Sequence, residues 1–297
     1  MPAPTSTSSQ LTAVIGFTLP PSRMPESEES YLTWQAGRAK PTEKIRIPVT
    51  DLRPELEGRV VVPPLEQLKK RGYAVMKHES EYLDVLESTE GTDKYLSETA
   101  DVLKSVLGCD RVIAWNSVVR RNISDIKEKI VEKQKGPEKD FVPTTRIQPP
   151  AAVAHIDQTA AWGFELCGKA AGKPAGEFKR VQIVNLWRPL HGPVTNAPLA
   201  MLDPTTLSPG DIGTHAHQYG EGHDLHHSST QQWSYIRHQM PDEVILLKCY
   251  DSDQGVNGEV LYCGHVAVQV DGDEEGIAPD LVKPRESIEV RLVAVWE

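Results

Sequence analysis

The strongest constraint on the fold is a change in sequence pattern near residue 148. From there to residue 297, short apolar segments recur between loops rich in Gly, Pro and Asp, and helical periodicity is nearly absent. Successive strands without intervening helices favour an antiparallel sandwich or barrel over a sheet of alternating strands and helices. We therefore expect a jelly-roll-like β core over residues 148–297. Its strands are predicted at Ala152–His155, Val181–Trp187, Leu199–Leu202, Trp233–Ile236, Val244–Tyr250, Val260–Val270 and Ile288–Trp296.

Helical patterns are confined to the part of the chain before this core. Apolar residues at helical spacing, with Gly at the ends, predict helices at Pro64–Lys70, at about Asp93–Leu107 and at Ile123–Lys135. Segments rich in β-formers predict strands at Gly72–Met76 and Val112–Val119. The expected fold class is therefore mainly β with flanking helices.

The first 60 residues carry few periodic signals. They are rich in Pro, Ser, Thr and charge, with strand-like pieces only at Thr12–Thr18 and Lys44–Val49. We expect residues 1–60 to form an extended arm over the core. Residues 61–297 then form a single domain with a helical N-terminal part at 61–147 and the jelly-roll core at 148–297.

Composition excludes several classes of protein. The net charge is −10, from 42 acidic and 32 basic residues, which disfavours a nucleic-acid partner. No apolar run approaches the ~20 residues of a membrane span, and the first residues lack the basic region of a secretory signal. The four cysteines lack Cys-x-x-Cys spacing and indicate reduced thiols, hence a cytoplasmic protein.

A short polar pattern, His155-Ile-Asp157, lies where the first core strand leaves a Pro-rich loop. Residues i and i+2 of a strand point to the same face, so this imidazole and carboxylate can bind one metal ion. Two histidines and one carboxylate on one side of an ion leave positions open for oxygen and substrate, as in non-haem iron oxygenases. A His-x-Asp pair also arises by chance, and the alternative is an ion pair at the strand end.

Two features further along the chain extend the pattern. His265 lies in an apolar strand segment, where a lone histidine is more often a core residue than a ligand. Arg285 and Ser287 share one face of the last strand, and a guanidinium and a hydroxyl together can bind a carboxylate. The alternative is a solvated strand face, because Glu289 and Arg291 follow. The order His-x-Asp, distal His and Arg-x-Ser along one β core favours the functional interpretation.

The sequence resembles the Fe(II)/2-oxoglutarate-dependent oxygenases, and more narrowly the fungal hydroxylase/desaturase family of secondary-metabolite clusters, which includes relatives of a gibberellin desaturase. The resemblance covers about residues 110–297. The segments that carry it are His155–Thr159, Asn185–Leu190, Pro198–Ala200, Pro241–Val244, Lys248–Ser252 and Pro284–Arg291. It implies a double-stranded β-helix core of jelly-roll type, with Fe(II), 2-oxoglutarate and O2 as cofactor and cosubstrates.

Carried over residue by residue, the resemblance also implies a site. Its iron ligands are His155, Asp157 and His265, which are also the catalytic residues. The cosubstrate is bound by Arg285, Ser287 and Asn185, and the substrate-binding candidates are Arg120, Trp187 and Arg188. Core packing and a surface ion pair are at least as plausible for Trp187 and Arg120, respectively.

The third ligand has a rival in the His-rich segment His215–His227, which Gly220 and Gly222 suggest is a solvated loop near the cavity mouth. We prefer His265 over His227 because an apolar strand holds a ligand rigidly. In addition, the Arg-x-Ser pair follows His265, whereas no such hydroxyl follows the arginine after His227.

The resemblance implies hydroxylation, desaturation or cyclisation of a small molecule through a ferryl oxidant, and the sequence does not choose among these reactions. A small acid or amino acid is favoured if Arg120 or Arg188 faces the cavity. Two alternatives remain: a cupin-like binding protein without turnover, and a 2-oxoglutarate-independent metalloenzyme on the same fold. The sequence leaves open whether the chain forms a homodimer.

Overall fold

The structure is a computed structural model, and it describes residues 11–24, 41–58, 62–122, 129–130, 145–217, 220–253, 255 and 258–297. The helices of the described residues are α1 (Arg53–Glu57), α2 (Pro64–Arg71), α3 (Thr89–Leu107) and α4 (Ala160–Ala171). The strands are β1 (Thr12–Thr18), β2 (Thr42–Asp51), β3 (Tyr73–Lys77), β4 (Arg111–Arg121), β5 (Lys129–Ile130), β6 (Thr145–Gln148), β7 (His155–Ile156), β8 (Arg180–Pro189), β9 (Leu199–Leu202), β10 (Ile212–His217), β11 (Gly220–Leu225), β12 (Trp233–Tyr235), β13 (Glu243–Asp251), β14 (His265–Ala267), β15 (Gln269–Val270) and β16 (Glu286–Trp296).

The strands form two sheets. The nine-stranded sheet has the order β10-β11-β7-β14-β9-β12-β2-β1-β15, and the seven-stranded sheet has the order β3-β13-β8-β16-β4-β6-β5. Most neighbours are antiparallel, although β12 pairs with β2, and β4 with β6, in parallel. This architecture confirms the mainly β fold class with flanking helices.

The seven-stranded sheet is buried on both faces. Alternate side chains of β16, such as Val293 and Val295, pack with Met201 of the nine-stranded sheet in one apolar cluster. The intervening side chains, such as Val290 and Leu292, pack with a different cluster, which includes buried residues of α2 and α3. Because strand side chains alternate between faces, β16 separates an inner face between the sheets from an outer face under the helices.

The N-terminal strands join the sheet of the core. β1 pairs with β2 and β15, and β2 also pairs with β12, so both predicted strand-like pieces form strands. The division into an arm at 1–60 and a domain at 61–297 stays a prediction. Within the described residues, no helix is both long enough and apolar enough to cross a membrane.

Three expectations about local structure were wrong. Helix α4 follows β7 inside the segment predicted to lack helices; Thr159 caps its N-terminus by accepting a hydrogen bond from the Trp162 N–H, and Gly172 ends it. The His-rich segment forms the hairpin β10–β11 instead of a loop. Lys129–Ile130, predicted as helix, pairs with β6 as strand β5, and most of that predicted helix lies outside the described residues.

Candidate metal centre

Three side chains that could hold a metal ion meet between the two sheets. Among the described residues, His155, Asp157 and His265 each offer one ligand atom, and these atoms all lie within 4.8 Å of one another. Strand pairing accounts for the approach of the two histidines, since His265 on β14 lies directly opposite His155 on β7. Asp157 follows β7 at a bend, with Oδ1 3.5 Å from Nε2 of His155 and 3.9 Å from Nε2 of His265.

Backbone carbonyls orient both imidazoles. Nδ1 of His155 lies 2.7 Å from the Val153 carbonyl oxygen, and Nδ1 of His265 lies 3.3 Å from that of Cys263. With each Nδ1 directed at a backbone carbonyl, Nε2 of each ring faces Asp157 and can bind a metal ion once it carries no proton. Two imidazole nitrogens and one carboxylate oxygen on one side of a cavity suit a divalent transition metal and leave coordination positions open.

The surroundings of Asp157 keep it ionised. Burial by itself raises the pKa of Asp157, but the Arg291 guanidinium and the hydrogen bond with His155 outweigh burial and hold that pKa well below its usual range. Nδ2 of Asn185 donates a 2.8 Å hydrogen bond to Oδ2, the oxygen that Arg291 Nε approaches to 3.7 Å. A carboxylate that is charged at neutral pH is ready to bind a cation.

A small cavity adjoins the two histidines of this group. Its lining includes His155 and His265 on one side and Arg120, Trp187 and Arg285 on the other. The Arg285 guanidinium carbon lies 5.5 Å from the centroid of the Trp187 ring, which therefore contributes both to the apolar core and to the cavity wall. The structure thus brings five of the sequence-predicted site residues to one place.

Arg285 and Ser287 retain unused donors beside this cavity. Both are buried, and Nε of Arg285 and Oγ of Ser287 have no hydrogen-bond partner among the described residues. Nη1 of Arg285 donates a hydrogen bond to the Ala197 carbonyl oxygen. Burial and the neighbouring charge of Arg120 lower the pKa of Arg285 to about 9. Buried donors without partners are costly, and an anionic ligand would satisfy them.

The solvated-face alternative for this strand was wrong. Arg285, Ser287 and Glu289 are each no more than 3% exposed, and they share the inner face of the seven-stranded sheet with Arg291. Sequence reasoning missed the role of Glu289, whose Oε1 accepts a 3.0 Å hydrogen bond from Arg291. No local signal reported this role, because the alternation of polar residues with Ile288, Val290 and Leu292 is also the pattern of a strand with one solvated face.

The expectation for Arg188 was wrong. It follows Trp187 directly, so it points to the outer face of the sheet, where it is fully buried. Its guanidinium donates to Tyr95 Oη at 3.0 Å and to the backbone carbonyls of His78 and Pro241 at 2.7 and 2.6 Å. These hydrogen bonds join β8 to α3 and to the loop before β13. Arg188 is therefore not among the residues that line the cavity beside His155 and His265.

The His-rich hairpin lies beside β7, the strand that carries His155. Asp224 on β11 pairs with His155, so the hairpin extends the sheet that carries the histidines. Nδ1 of His226 lies 2.9 Å from the Thr18 carbonyl oxygen, and the His227 ring contacts Phe17 with a centroid distance of 5.3 Å. The structure therefore groups His265, and not His227, with His155 and Asp157.

Together, the two sheets and the enclosed His-x-Asp and His side chains define a jelly-roll protein with a candidate metal centre. The chain belongs to the family described as "YDMC: Oxidoreductase/YMDC permease-like domain", whose sequence model matches residues 22–295.

Curated relatives come from fungi. The chain is 37% identical to aspirochlorine biosynthesis protein N of Aspergillus oryzae over 40% of this chain and 49% of the relative. It is 33% identical to the Fe(II)/2-oxoglutarate-dependent dioxygenase NvfI of Aspergillus novofumigatus over 48% of this chain and 52% of the relative. It is 30% identical to the hydroxylase/desaturase EfuI of Hormonema carpetanum over 50% of this chain and 52% of the relative. The aligned region thus spans about half the length of these relatives. Their names confirm the resemblance found in the sequence.

A solved structure shares the fold. The iron and alpha-ketoglutarate-dependent endoperoxidase NvfI superposes with a TM-score of 0.71 at 24% identity, over 97% of this chain and 99% of that one. This likeness confirms the expected double-stranded β-helix core.

Proposed function

We propose that this chain is an Fe(II)/2-oxoglutarate-dependent oxygenase that acts on a small molecule. The observation that carries the proposal is the presence, at one cavity, of the His155–Asp157–His265 group and of a buried arginine with an unused donor. The first suits a divalent metal, and the second suits the carboxylate of an acidic cosubstrate. The names of the fungal relatives support the same activity.

In this proposal the protein binds and orients the reactants. His155, Asp157 and His265 would hold the iron, while Arg285 and Ser287 would bind the distal carboxylate of 2-oxoglutarate. When bound, Fe(II) with 2-oxoglutarate and O2 supplies the oxidation of an unactivated C–H bond, and the cosubstrate leaves as succinate and carbon dioxide. Trp187 and the apolar side chains behind it keep water from the carboxylate site, which strengthens its charge-assisted bonds.

The proposed substrate is a small acid or amino acid. Arg120 supports this choice because it lines the cavity beside His155 and Arg285. Its Nη1 donates to the Pro149 carbonyl oxygen at 3.0 Å and approaches Gln148 Oε1 to 3.4 Å, both neutral acceptors. Burial lowers the pKa of Arg120, so an anion at this position would be favourable. The relatives named hydroxylase/desaturase support hydroxylation or desaturation as the outcome.

We also propose a cytoplasmic location. All four cysteines are buried and form no disulfide. Cys249 is the one beside the candidate metal centre, with its Sγ 3.9 Å from Oδ2 of Asp157. Burial raises the pKa of Cys249 well above its ordinary value, so this thiol stays neutral. A protein that keeps four unpaired thiols fits a reducing compartment.

The test measures succinate formed from 2-oxoglutarate by the purified protein under air. The wild-type protein should form succinate only when Fe(II) is present, and Asp157→Ala should lose this activity while its circular dichroism spectrum is unchanged. Asp242→Ala removes an exposed carboxylate and should behave as wild type. Succinate formation that persists in a folded Asp157→Ala variant would exclude the proposed metal site.

A further inference from the structure

The two oxygens of the Asp157 carboxylate have different surroundings. Oδ1 faces Nε2 of both histidines, at 3.5 and 3.9 Å. Oδ2 points away from them, accepts the 2.8 Å hydrogen bond from Asn185 and lies 3.7 Å from Nε of Arg291. One oxygen therefore faces the ligand group, and the protein holds the other.

The groups that hold Oδ2 come from the opposite sheet. Asn185 on β8 and Arg291 on β16 are direct partners in the strand register, and both face inward. Arg291 is itself fixed by Glu289, and Asn185 is fully buried. Asp157, in contrast, follows a strand of only two residues, so its own element does little to fix the carboxylate. A hydrogen bond to a charged group in a buried site is among the stronger contacts that a side chain can make.

We propose that Asn185 and Arg291 are positioning residues that orient Asp157 and thereby set the affinity of the site for its metal. This inference rests on the proposed function. It differs from the sequence-based expectation that Asn185 binds the cosubstrate, because Nδ2 of Asn185 donates to Asp157 and Asn185 is not among the side chains that line the cavity. Removal of a group that orients a metal ligand typically lowers metal affinity by about 10- to 100-fold.

The chain offers a matched control on the same strand. Gln182, also on β8 and buried, donates a 2.7 Å hydrogen bond from Nε2 to Oδ2 of Asp251, away from the candidate metal centre. Asn185→Ala and Gln182→Ala each remove one buried amide–carboxylate bond, so both should lower thermal stability. A positioning role predicts that they differ in a second readout, the affinity for Co(II), which replaces Fe(II) without requiring turnover.

The experiment is anaerobic calorimetric titration of the full chain with Co(II), together with the visible spectrum of the bound metal. Asn185→Ala should bind Co(II) about 10- to 100-fold more weakly than wild type and alter the spectrum, and Gln182→Ala should stay within about twofold. Equal Co(II) affinity and equal spectra for wild type and folded Asn185→Ala would overturn the inference. If wild type itself fails to bind Co(II), the proposed function fails instead.

Arg291 provides a second pair of variants if Asn185→Ala does not fold. Arg291→Lys keeps the positive charge near Oδ2 and should retain most of the Co(II) affinity, whereas Arg291→Met removes it and should weaken binding at least tenfold. Equal affinities for these two variants and wild type would also overturn the positioning role.

Discussion

Arg285 is the residue whose surroundings predict a ligand most directly. It is 1% exposed, its Nε lacks a partner among the described residues, and Arg120 adds a second positive charge nearby. A buried cation in this state gains from a charge-assisted bond to an incoming carboxylate. Ser287 adds a buried hydroxyl with no described partner on the same strand face.

Arg285→Leu should therefore weaken 2-oxoglutarate binding by about one to two decades, which corresponds to the ~1.5–3 kcal/mol of a hydrogen bond to a charged group. Ser287→Ala should have the same effect more weakly. Calorimetry of the Co(II)-loaded protein with 2-oxoglutarate measures both. The metal affinity of Arg285→Leu should stay close to wild type, because among the described residues Arg285 forms no hydrogen bond or ion pair with Asp157. A normal cosubstrate affinity in this variant would place the anchor elsewhere.

Individual site residues were predictable where strand periodicity and side-chain chemistry agreed. His155 and Asp157, two residues apart, do converge, as do Arg285 and Ser287 on one strand face. The same periodicity shows why the expectation for Arg188 was wrong, because Trp187 and Arg188 are neighbours on one strand and cannot both face inward. The bond from Asn185 to Asp157 joins residues 28 positions apart on different sheets, and no local pattern reports such a contact.

At the scale of elements, the hairpin β10–β11 lies close to the backbone of β7 and of Asp157. A Cβ at Gly222 would lie 2.9 Å from the Asp157 carbonyl oxygen and 3.0 Å from that of Ile156. In the sequence, Gly220 and Gly222 suggested a loop, but in the structure Gly222 permits close contact between two backbones within a sheet.

Gly222→Ala should consequently displace β7, destabilise the protein by about 1–3 kcal/mol and weaken Co(II) binding. Urea denaturation and calorimetry measure the two effects. Gly210→Ala is the control: a Cβ there meets nothing within 4 Å, so its stability should change by no more than about 0.5 kcal/mol. Indistinguishable stability and Co(II) affinity for the two variants would show that β7 does not depend on this approach.

A second element-scale prediction concerns pH. Glu243 at the start of β13 accepts a 2.9 Å hydrogen bond from Arg53 of α1 and a 2.8 Å hydrogen bond from Lys77 of β3. Burial raises the pKa of Glu243, but these bonds outweigh it and lower that pKa below its ordinary value. The resulting stabilisation is complete above the unfolded-state pKa of about 4.3 and is lost as pH falls through the lower folded-state value.

Glu243→Gln should be less stable than wild type at pH 7, and its free energy of unfolding should decrease less between pH 5 and pH 3. Urea denaturation across this range measures the difference. Asp242→Asn, which alters the exposed neighbouring carboxylate, should follow the wild-type curve. Parallel losses of stability in wild type and Glu243→Gln would assign the acid sensitivity to other groups.

At the scale of the whole molecule, the sequence predicted the class of fold better than its connections. Strand β9 was predicted at its observed bounds, and β8, β13 and β16 within a few residues, because each is an apolar or alternating run. Helix α4 was missed because its Ala- and Gly-containing sequence has weak amphipathic periodicity. The pairing order of the sheets depends on contacts between distant segments, so only the family resemblance could suggest it.

The central claim is that one cavity binds Fe(II) and 2-oxoglutarate together. Anaerobic titration of the Fe(II)-loaded protein with 2-oxoglutarate tests this claim most directly, with a visible absorption band as the readout expected for this class of enzyme. We expect a saturable band in the wild-type protein and in His227→Ala, and none in His265→Ala. A band that survives in folded His265→Ala but disappears in His227→Ala would exclude His265 as the third iron ligand.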